Sequence, residues 1–294
     1  MTKTLFDKVT IIGFGLIRSS LARNIRAHKL AHTLICGDVS EDVCRKALDL
    51  GLADIAMNDL AASVAGSDLV ILAMPVGAVG SVMKQISGAL AEGAILTDVG
   101  SVKQTVIDAV QPHMPAHAFF VPAHPIAGTE HSGPESGFVE LFQKRWCILT
   151  PAQDTPLRAI EKITALWESC GAMIEIMEAR HHDLVLAITS HLPHLIAYSI
   201  VDTAATIEDD TKAEVIKYSA SGFRDFTRIA ASNPIMWRDI FLNNKDAVLE
   251  ILQRFNEDLT ALQKAIRTGD GKLLEDVFTR TRAIRRAIID AKQA

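Results

Sequence analysis

Cysteine is scarce in this 294-residue chain, and Cys36, Cys44, Cys147 and Cys170 form no C-x-x-C pair. That spacing excludes a disulfide framework and a cysteine-based zinc site, and it suits a reducing compartment. Positive charge is not in excess either: the formal net charge is -5, which offers no attraction to nucleic acid or an anionic membrane. Long hydrophobic runs are missing. The longest, Leu69 to Met83, is shorter than a membrane span and is broken by Pro75, Gly77 and Gly80, so it reads as strand, turn and helix start. Met1 to Lys8 is polar, so no secretory leader is predicted. No Pro/Gly/Ser-rich linker, repeat or low-complexity tract interrupts the chain. What remains is ordinary globular composition, 49% hydrophobic and 22% charged, long enough for two domains. A cytoplasmic protein is expected, with no membrane or nucleic-acid partner.

Hydrophobic patterning divides the chain near residue 178. Before it, short β-rich runs (Val9–Ile12, Leu34–Cys36, Leu69–Ala73, Ile95–Thr97, Phe119–Val121, Trp146–Leu149) alternate with helical patterns such as Leu21–Ala27, Val76–Leu90 and Val102–Val110. Such alternation predicts a parallel sheet with helices on its faces. A helix over Arg158–Cys170 then leads into a strand at Met173–Met177. After Glu178 nearly everything is helical in period. Val248, Leu252, Phe255, Leu259, Leu262 and Ile266 fall on one helix face. Leu274, Val277, Ile284 and Ile288 form a second stripe beyond Gly269-Asp270-Gly271. A self-packed helical hairpin and a dimer interface both fit these stripes. The fold expected is an α/β Rossmann-like nucleotide-binding domain (1–178) followed by an all-α helical domain (179–294).

The first strand runs into a helix through Gly13-Phe14-Gly15-Leu16-Ile17-Arg18. The first glycine permits the tight turn, and the second lets the backbone approach a pyrophosphate at the helix N-terminus. Arg18 occupies the place of a third glycine. It must either turn outward, towards the phosphates, or push the helix off the sheet. Twenty residues on, Asp38 closes the second strand, where a carboxylate bonds both adenosine ribose hydroxyls and repels a 2′-phosphate. No arginine follows it, which favours NAD over NADP. Pro75 and Ser101 stand near the ends of two further strands, where ligands of open parallel sheets bind.

His124, after Phe119-Phe120-Val121-Pro122-Ala123, is braced by prolines at a strand end. Histidine titrates near neutrality and can take a hydroxyl proton as hydride leaves the same carbon. In the helical half, His181-His182-Asp183 and Ser190-His191-Leu192-Pro193-His194 share one apolar helix, and Arg224 and Arg228 lie beside apolar residues further on. An arginine there can grip a carboxylate with its planar fork. The same histidines with Asp183 could instead ligate a divalent metal in a hydrolase, a reading that leaves the nucleotide half unexplained. A two-domain hydroxy acid dehydrogenase would call for a lysine in the helical half, and Lys212, Lys217 and Lys245 stand in no convincing constellation. A silent NAD-binding protein would have no use for the His124, Ser101 and Arg228 set.

The strings GFGLI, DVGSVK (98–103), HPIAGTE (124–130), SHLPH (190–194), DFTRIA (225–230) and NPIMW (233–237) together resemble the prephenate/arogenate (cyclohexadienyl) dehydrogenase family. The resemblance spans Val9 to at least Trp237, with Arg18 as a departure from the usual glycine. It implies NAD-dependent oxidative decarboxylation in tyrosine biosynthesis. His124 would polarise the ring hydroxyl and Ser101 would orient it. Arg228 would bind the substrate carboxylate, His194 line the pocket and Glu130 stand near its mouth, while Asp183 and Asp225 orient these groups. Gly13, Gly15, Leu16, Ile17, Arg18, Asp38 and Pro75 would hold the cofactor, no metal is called for, and the helical domain would form a homodimer.

Overall fold

The computed structural model describes residues 4–13, 15–129, 133–206 and 221–290, the last three of these as backbone only. Six strands, β1 (Phe6–Ile12), β2 (Ala31–Gly37), β3 (Ile55–Met57), β4 (Leu69–Leu72), β5 (Ile95–Asp98) and β6 (Phe119–Val121), form one parallel sheet in the order β3-β2-β1-β4-β5-β6. Their runs are continuously apolar because both faces are covered. On one face Val9, Ile11, Leu69 and Ile71 pack against Leu21 and Ile25 of α1 (Leu16–Ala27) and Ile163, Leu166 and Trp167 of α6 (Leu157–Ser169). On the other, Ile12, Val70, Leu72 and Leu96 meet Met83 and Ile86 of α4 (Val79–Ile86) and Val106 and Val110 of α5 (Gln104–Val110). Two shorter helices, α2 (Glu41–Asp49) and α3 (Leu60–Val64), start on the side-chain caps Ser40 and Asp59. Strand order reverses between β1 and β4, which opens a crevice at the carboxyl ends of these strands.

The sheet departs from expectation at its far end. Trp146–Leu149 does not join the parallel sheet. As β8 it pairs antiparallel with β7 (Ala123–Pro125) and parallel with β9 (Met173–Ile176) in a separate three-stranded sheet. The cause lies at Pro122, which has no N–H to continue the β6 ladder. The next N–H, that of Ala123, goes to Asp98 Oδ1 at 3.1 Å instead of to a strand. The expected helix over Val76–Leu90 is also divided, into a 3₁₀ turn, α4 and a second 3₁₀ turn.

Beyond Glu178, α7 (Ala179–Leu186), a π-helical turn (Ala187–His191) and α8 (Leu192–Ala205) run on continuously. Pro193 explains the π turn: it cannot donate to Thr189, so the ladder slips by one residue. Residues 179–205 are long and apolar enough to cross a membrane by length and composition alone, although His181, His182, Asp183, His191 and His194 interrupt the apolar run. Next come α9 (Ser221–Thr227), a 3₁₀ turn (Arg228–Ala231) and α10 (Pro234–Asn243), which starts on the Asn233 cap. These helices are tied to the sheet half. Val102 packs on Trp237 and Ile240, and Thr105 Oγ1 donates to Asn243 O at 2.6 Å.

Compactness therefore groups Met1–Lys245 as one unit and Asp246–Ala294 as another, while the boundary at 178 marks a change of element type. The second unit comprises most of α11 (Lys245–Thr268) and α12 (Gly271–Asp290). Gly269, at φ +67°, ends α11, with Asp270 N reaching back to Ala265 O. On the predicted stripe Val248 is buried, whereas Leu259, Ile266 and Ile284 are exposed. The Ile288 side chain lies outside the described residues.

At the end of β5 an ion pair is sealed in the interior. Lys103 Nζ pairs with Asp98 Oδ2 and donates to Ala123 O at 2.8 Å, and both side chains are almost wholly buried. Asp98→Ala strands the ammonium there, and urea denaturation is expected to show a loss of about 3–5 kcal/mol, the usual effect of breaking a buried pair. A loss below about 1 kcal/mol would mean that water reaches Lys103.

Candidate active site

Two groups of side chains converge on the carboxyl ends of the sheet. The first surrounds β1. Gly13 adopts φ +88°, and a Cβ there would press on Ala73 O at 3.2 Å, so both conformation and space require glycine. Gly15 is the N-cap of α1 and provides no side-chain cap. The first N–H groups of that helix, with Leu16 and Ile17 in its first turn, stay open to an anion. Asp38 lies beyond β2, where Ser40 N donates to its Oδ1 at 3.0 Å and holds the carboxylate in place. Pro75 is exposed just after β4, ahead of the 3₁₀ turn Val76–Ala78. A glycine turn at an uncapped helix start, with a fixed carboxylate at the neighbouring strand end, fits an NAD dinucleotide. Arg18 turns back over this cradle and does not push the helix away. A Cβ on Gly13 would collide with its Nη1.

The second group centres on His124, in β7. Its Nδ1 is 2.9 Å from His182 Nε2, and His182 Nδ1 is 2.8 Å from Asp183 Oδ1. Asp183 also accepts from the backbone N–H of Lys103 (2.8 Å) and of Gln104 (2.9 Å), so it caps α5 from α7. The hydrogen-bonding roles follow in sequence. A carboxylate only accepts, so His182 Nδ1 carries a proton. The neutral ring then offers Nε2 as acceptor, so His124 Nδ1 must donate. His124 Nε2 is left with a lone pair. Burial lowers the His124 pKa well below its ordinary value, with His182 and Lys103 adding to the effect, and burial also lowers that of His182 against the Asp183 hydrogen bond. Both rings are thus neutral at neutral pH, and His124 is a base.

Ser101 sits in the loop between Asp98 and Lys103, half-buried, with no hydrogen bond to its hydroxyl among the described residues. Its neighbour Val102 packs on Trp237. His194 stacks on the same Trp237, with centroids 3.6 Å apart, and donates from Nδ1 to Ser190 O at 2.9 Å, which leaves Nε2 as an acceptor. Burial lowers its pKa, against the hydrogen bond to Ser190, and the charge of Arg228 adds to the lowering. Asp225 stands exposed on α9 without a hydrogen bond or ion pair among the described residues. Glu130 lies outside the described residues.

Sequence reasoning missed three participants. His182 was weighed only as a metal ligand, yet it is in hydrogen-bond contact with His124. Lys103 lay inside a quoted string, but nothing in the string marks it as buried. Asn244 donates to both Asp183 O (2.9 Å) and His191 Nδ1 (3.0 Å), fixing the ring of His191, whose pKa burial lowers to about 4. Among the described residues no three His, Cys, Asp or Glu converge to hold a metal ion, because these histidines are spent on one another and on Asp183. A cavity of about 460 Å³ opens behind the β6–β7 turn, lined by Pro122, Thr150 and Glu178 among others, but its lining includes neither His124 nor Ser101.

Comparison with known proteins agrees with this geometry. Residues 21–176 match the model of the prephenate dehydrogenase nucleotide-binding domain, and residues 178–280 that of the prephenate dehydrogenase dimerization domain. The chain is 44% identical to the cyclohexadienyl dehydrogenase of Zymomonas mobilis, over 97% of both chains. It is similar to the crystal structure of prephenate dehydrogenase from A. aeolicus in complex with hydroxyphenyl propionate and NAD+, at 34% identity and a TM-score of 0.87 over 96% of this chain and 98% of that one. The Synechocystis arogenate dehydrogenase follows at 27% identity and a TM-score of 0.81, over 95% and 99%. A dinucleotide cradle, a buried base and matches across nearly the whole length place the chain in one group: it belongs to the prephenate dehydrogenase family of NAD-dependent oxidoreductases.

Proposed function

We propose that this protein carries out the oxidative decarboxylation of prephenate, arogenate or both with NAD, the step that makes the aromatic ring on the way to tyrosine. The observation that carries the reading is the buried His124–His182–Asp183 chain, which leaves one unprotonated nitrogen on β7. The substrate is a cyclohexadienol with a ring carboxylate. His124 Nε2 accepts the hydrogen bond of the ring hydroxyl and bears its proton as the carbon–carboxylate bond breaks and carbon dioxide leaves. The proton returns to the aromatic oxygen, so none is consumed. NAD, when bound, supplies the hydride acceptor. Aromatisation drives the reaction, so the protein has chiefly to align the reacting carbon and hold one proton.

Each remaining group has a part in this reading. Ser101 orients the hydroxyl, and Arg228 with His194 grips the ring carboxylate. Asp183 fixes His182 and, through it, the tautomer of His124. Glu130 near the pocket mouth and Asp225 as an orienting carboxylate are assigned by family resemblance alone. Gly13, Gly15, Leu16, Ile17, Arg18, Asp38 and Pro75 hold the dinucleotide. Residues 1–178 form the cofactor domain, and 179–294 the substrate and dimerisation domain. Apolar side chains left exposed along 179–205, such as Ile188, Ile200 and Val201, are covered in this reading by a second copy of the chain in a cytoplasmic homodimer and not by a membrane.

The direct test follows NADH formation by the purified protein with NAD and either prephenate or arogenate. Turnover of at least one substrate is expected, and none with either would sink the reading. His124→Asn is expected to lower kcat roughly 10²–10⁴-fold. His182→Leu, which frees the tautomer, is expected to lower kcat by roughly tenfold or more at an unchanged KM for NAD. A His182→Leu enzyme with full kcat would show that the chain of histidines does not set the base.

The pH dependence carries a definite sign. His124 works unprotonated, and burial lowers its pKa, so activity persists as pH falls through the ordinary histidine value and is lost only below it. The acid limb of kcat/KM should therefore lie below pH 6.5, the ordinary histidine value. A limb at or above that value would assign it to another group.

A further inference from the structure

Position 18 is where a dinucleotide-binding turn ordinarily carries its third glycine, and here it is arginine. Close packing of helix on strand, the usual service of that glycine, is kept by other means. Leu21, Ala22 and Ile25 of α1 are fully buried in one cluster with Val9 and Ile11 of β1, and the ladder starts regularly, Ser19 N donating to Gly15 O at 2.9 Å. The arginine side chain is thus free for another task. It folds back across the turn, with Nη1 against Gly13 and Cζ 3.9 Å from where a Gly15 Cβ would be.

Arg18 is half-buried as a residue, and among the described residues its guanidinium makes no hydrogen bond and no ion pair. Burial lowers its pKa to about 10, against the attraction of Asp38, so it remains a cation at neutral pH. A cation drawn out of water without a partner is an incomplete ion pair. The uncapped N–H groups of α1 point to the same spot, so two independent features call for an anion where the turn meets the helix.

We propose that Arg18 grips the pyrophosphate of the bound dinucleotide, replacing a packing glycine with a charged contact. The proposal rests on the cofactor reading above and goes beyond it by giving one side chain one ligand group. Affinity for diphosphate-bearing ligands then depends on the charge at position 18, while affinity for adenosine does not.

Direct binding tests this without substrate. The dissociation constants of NADH, NADPH, ADP and adenosine would be measured by calorimetry on the full chain, on Arg18→Gly and on Arg18→Met, which keeps the bulk and removes the charge. Both variants are expected to bind NADH and ADP about 10- to 100-fold more weakly, the worth of a charge-assisted contact, with adenosine unchanged. Equal or tighter NADH binding by both variants would overturn the proposal and make Arg18 a space-filler. Weaker binding of NADPH alone would move the charge to a 2′-phosphate and equally overturn it. Failure of the unaltered chain to bind NADH would instead remove the cofactor reading and the proposal with it.

Discussion

The site depends on the buried pair of Lys103 and Asp98. Taking an ammonium and a carboxylate out of water costs several kcal/mol each, so such a pair persists only where further hydrogen bonds complete it. Here the N–H groups of Gly100 and Ala123 donate to the carboxylate, and the carbonyl of Ala123 accepts from the ammonium. An apolar pair could fill the same space but could not hold Ala123 at both its N–H and its C=O. The pair thereby joins the end of β5, the first residue of β7 and the loop between Asp98 and Lys103. Ser101 lies in that loop, and His124 follows Ala123. Their relative placement is built into the interior of the protein and does not depend on a surface loop.

Asp183 carries the constraint across to the helices. Its two oxygens accept the first free N–H groups at the start of α5, where a negative charge also suits the helix dipole. The same Oδ1 fixes the proton on His182. One carboxylate thus sets both the seating of α7 on the sheet half and the tautomer of the base two hydrogen bonds away. Asn244 holds the backbone of Asp183 from behind and spends its other amide proton on His191. A shift of α7 against α5 would therefore disturb the chemistry before it exposed much apolar surface.

Much of this was legible in the sequence, and the failures have physical causes. Continuous apolar runs report burial on both faces, so β1, β4, β5 and β6 were found, as was the glycine turn with Asp38. A run of four apolar residues says nothing about which sheet it joins. That is decided by Pro122 and by the side chain of Asp98, so β8 was misplaced. Lys103 and His182 were hidden because polar residues in a sequence read as solvated or ligating, and their burial arises from contacts 20 and 58 residues away along the chain. Ser101 and Asp38 stand just beyond β5 and β2, where the doubly wound topology gathers strand ends, whereas His124, expected at a strand end, lies inside the short strand β7. The orientation of Arg18 was open from sequence alone, since either alternative satisfied the spacing.

A base whose pKa is pushed down is a weak base, and burial this complete would be a poor choice for a reaction that needed a strong one. The chemistry assigned to the site does not. Aromatisation supplies the driving force, and the hydroxyl proton is only borne for the length of one step. What the site needs is a lone pair that is unprotonated at working pH, and burial guarantees that. In the proposed reaction the cation on His124 is the costly species, and the chain behind it offsets the cost. Each hydrogen bond passes some of the positive charge towards Asp183, whose carboxylate is pinned by two backbone donors and can move little in response. Burial and relay are therefore matched: the first keeps the ring neutral in the resting enzyme, and the second makes its brief protonation tolerable.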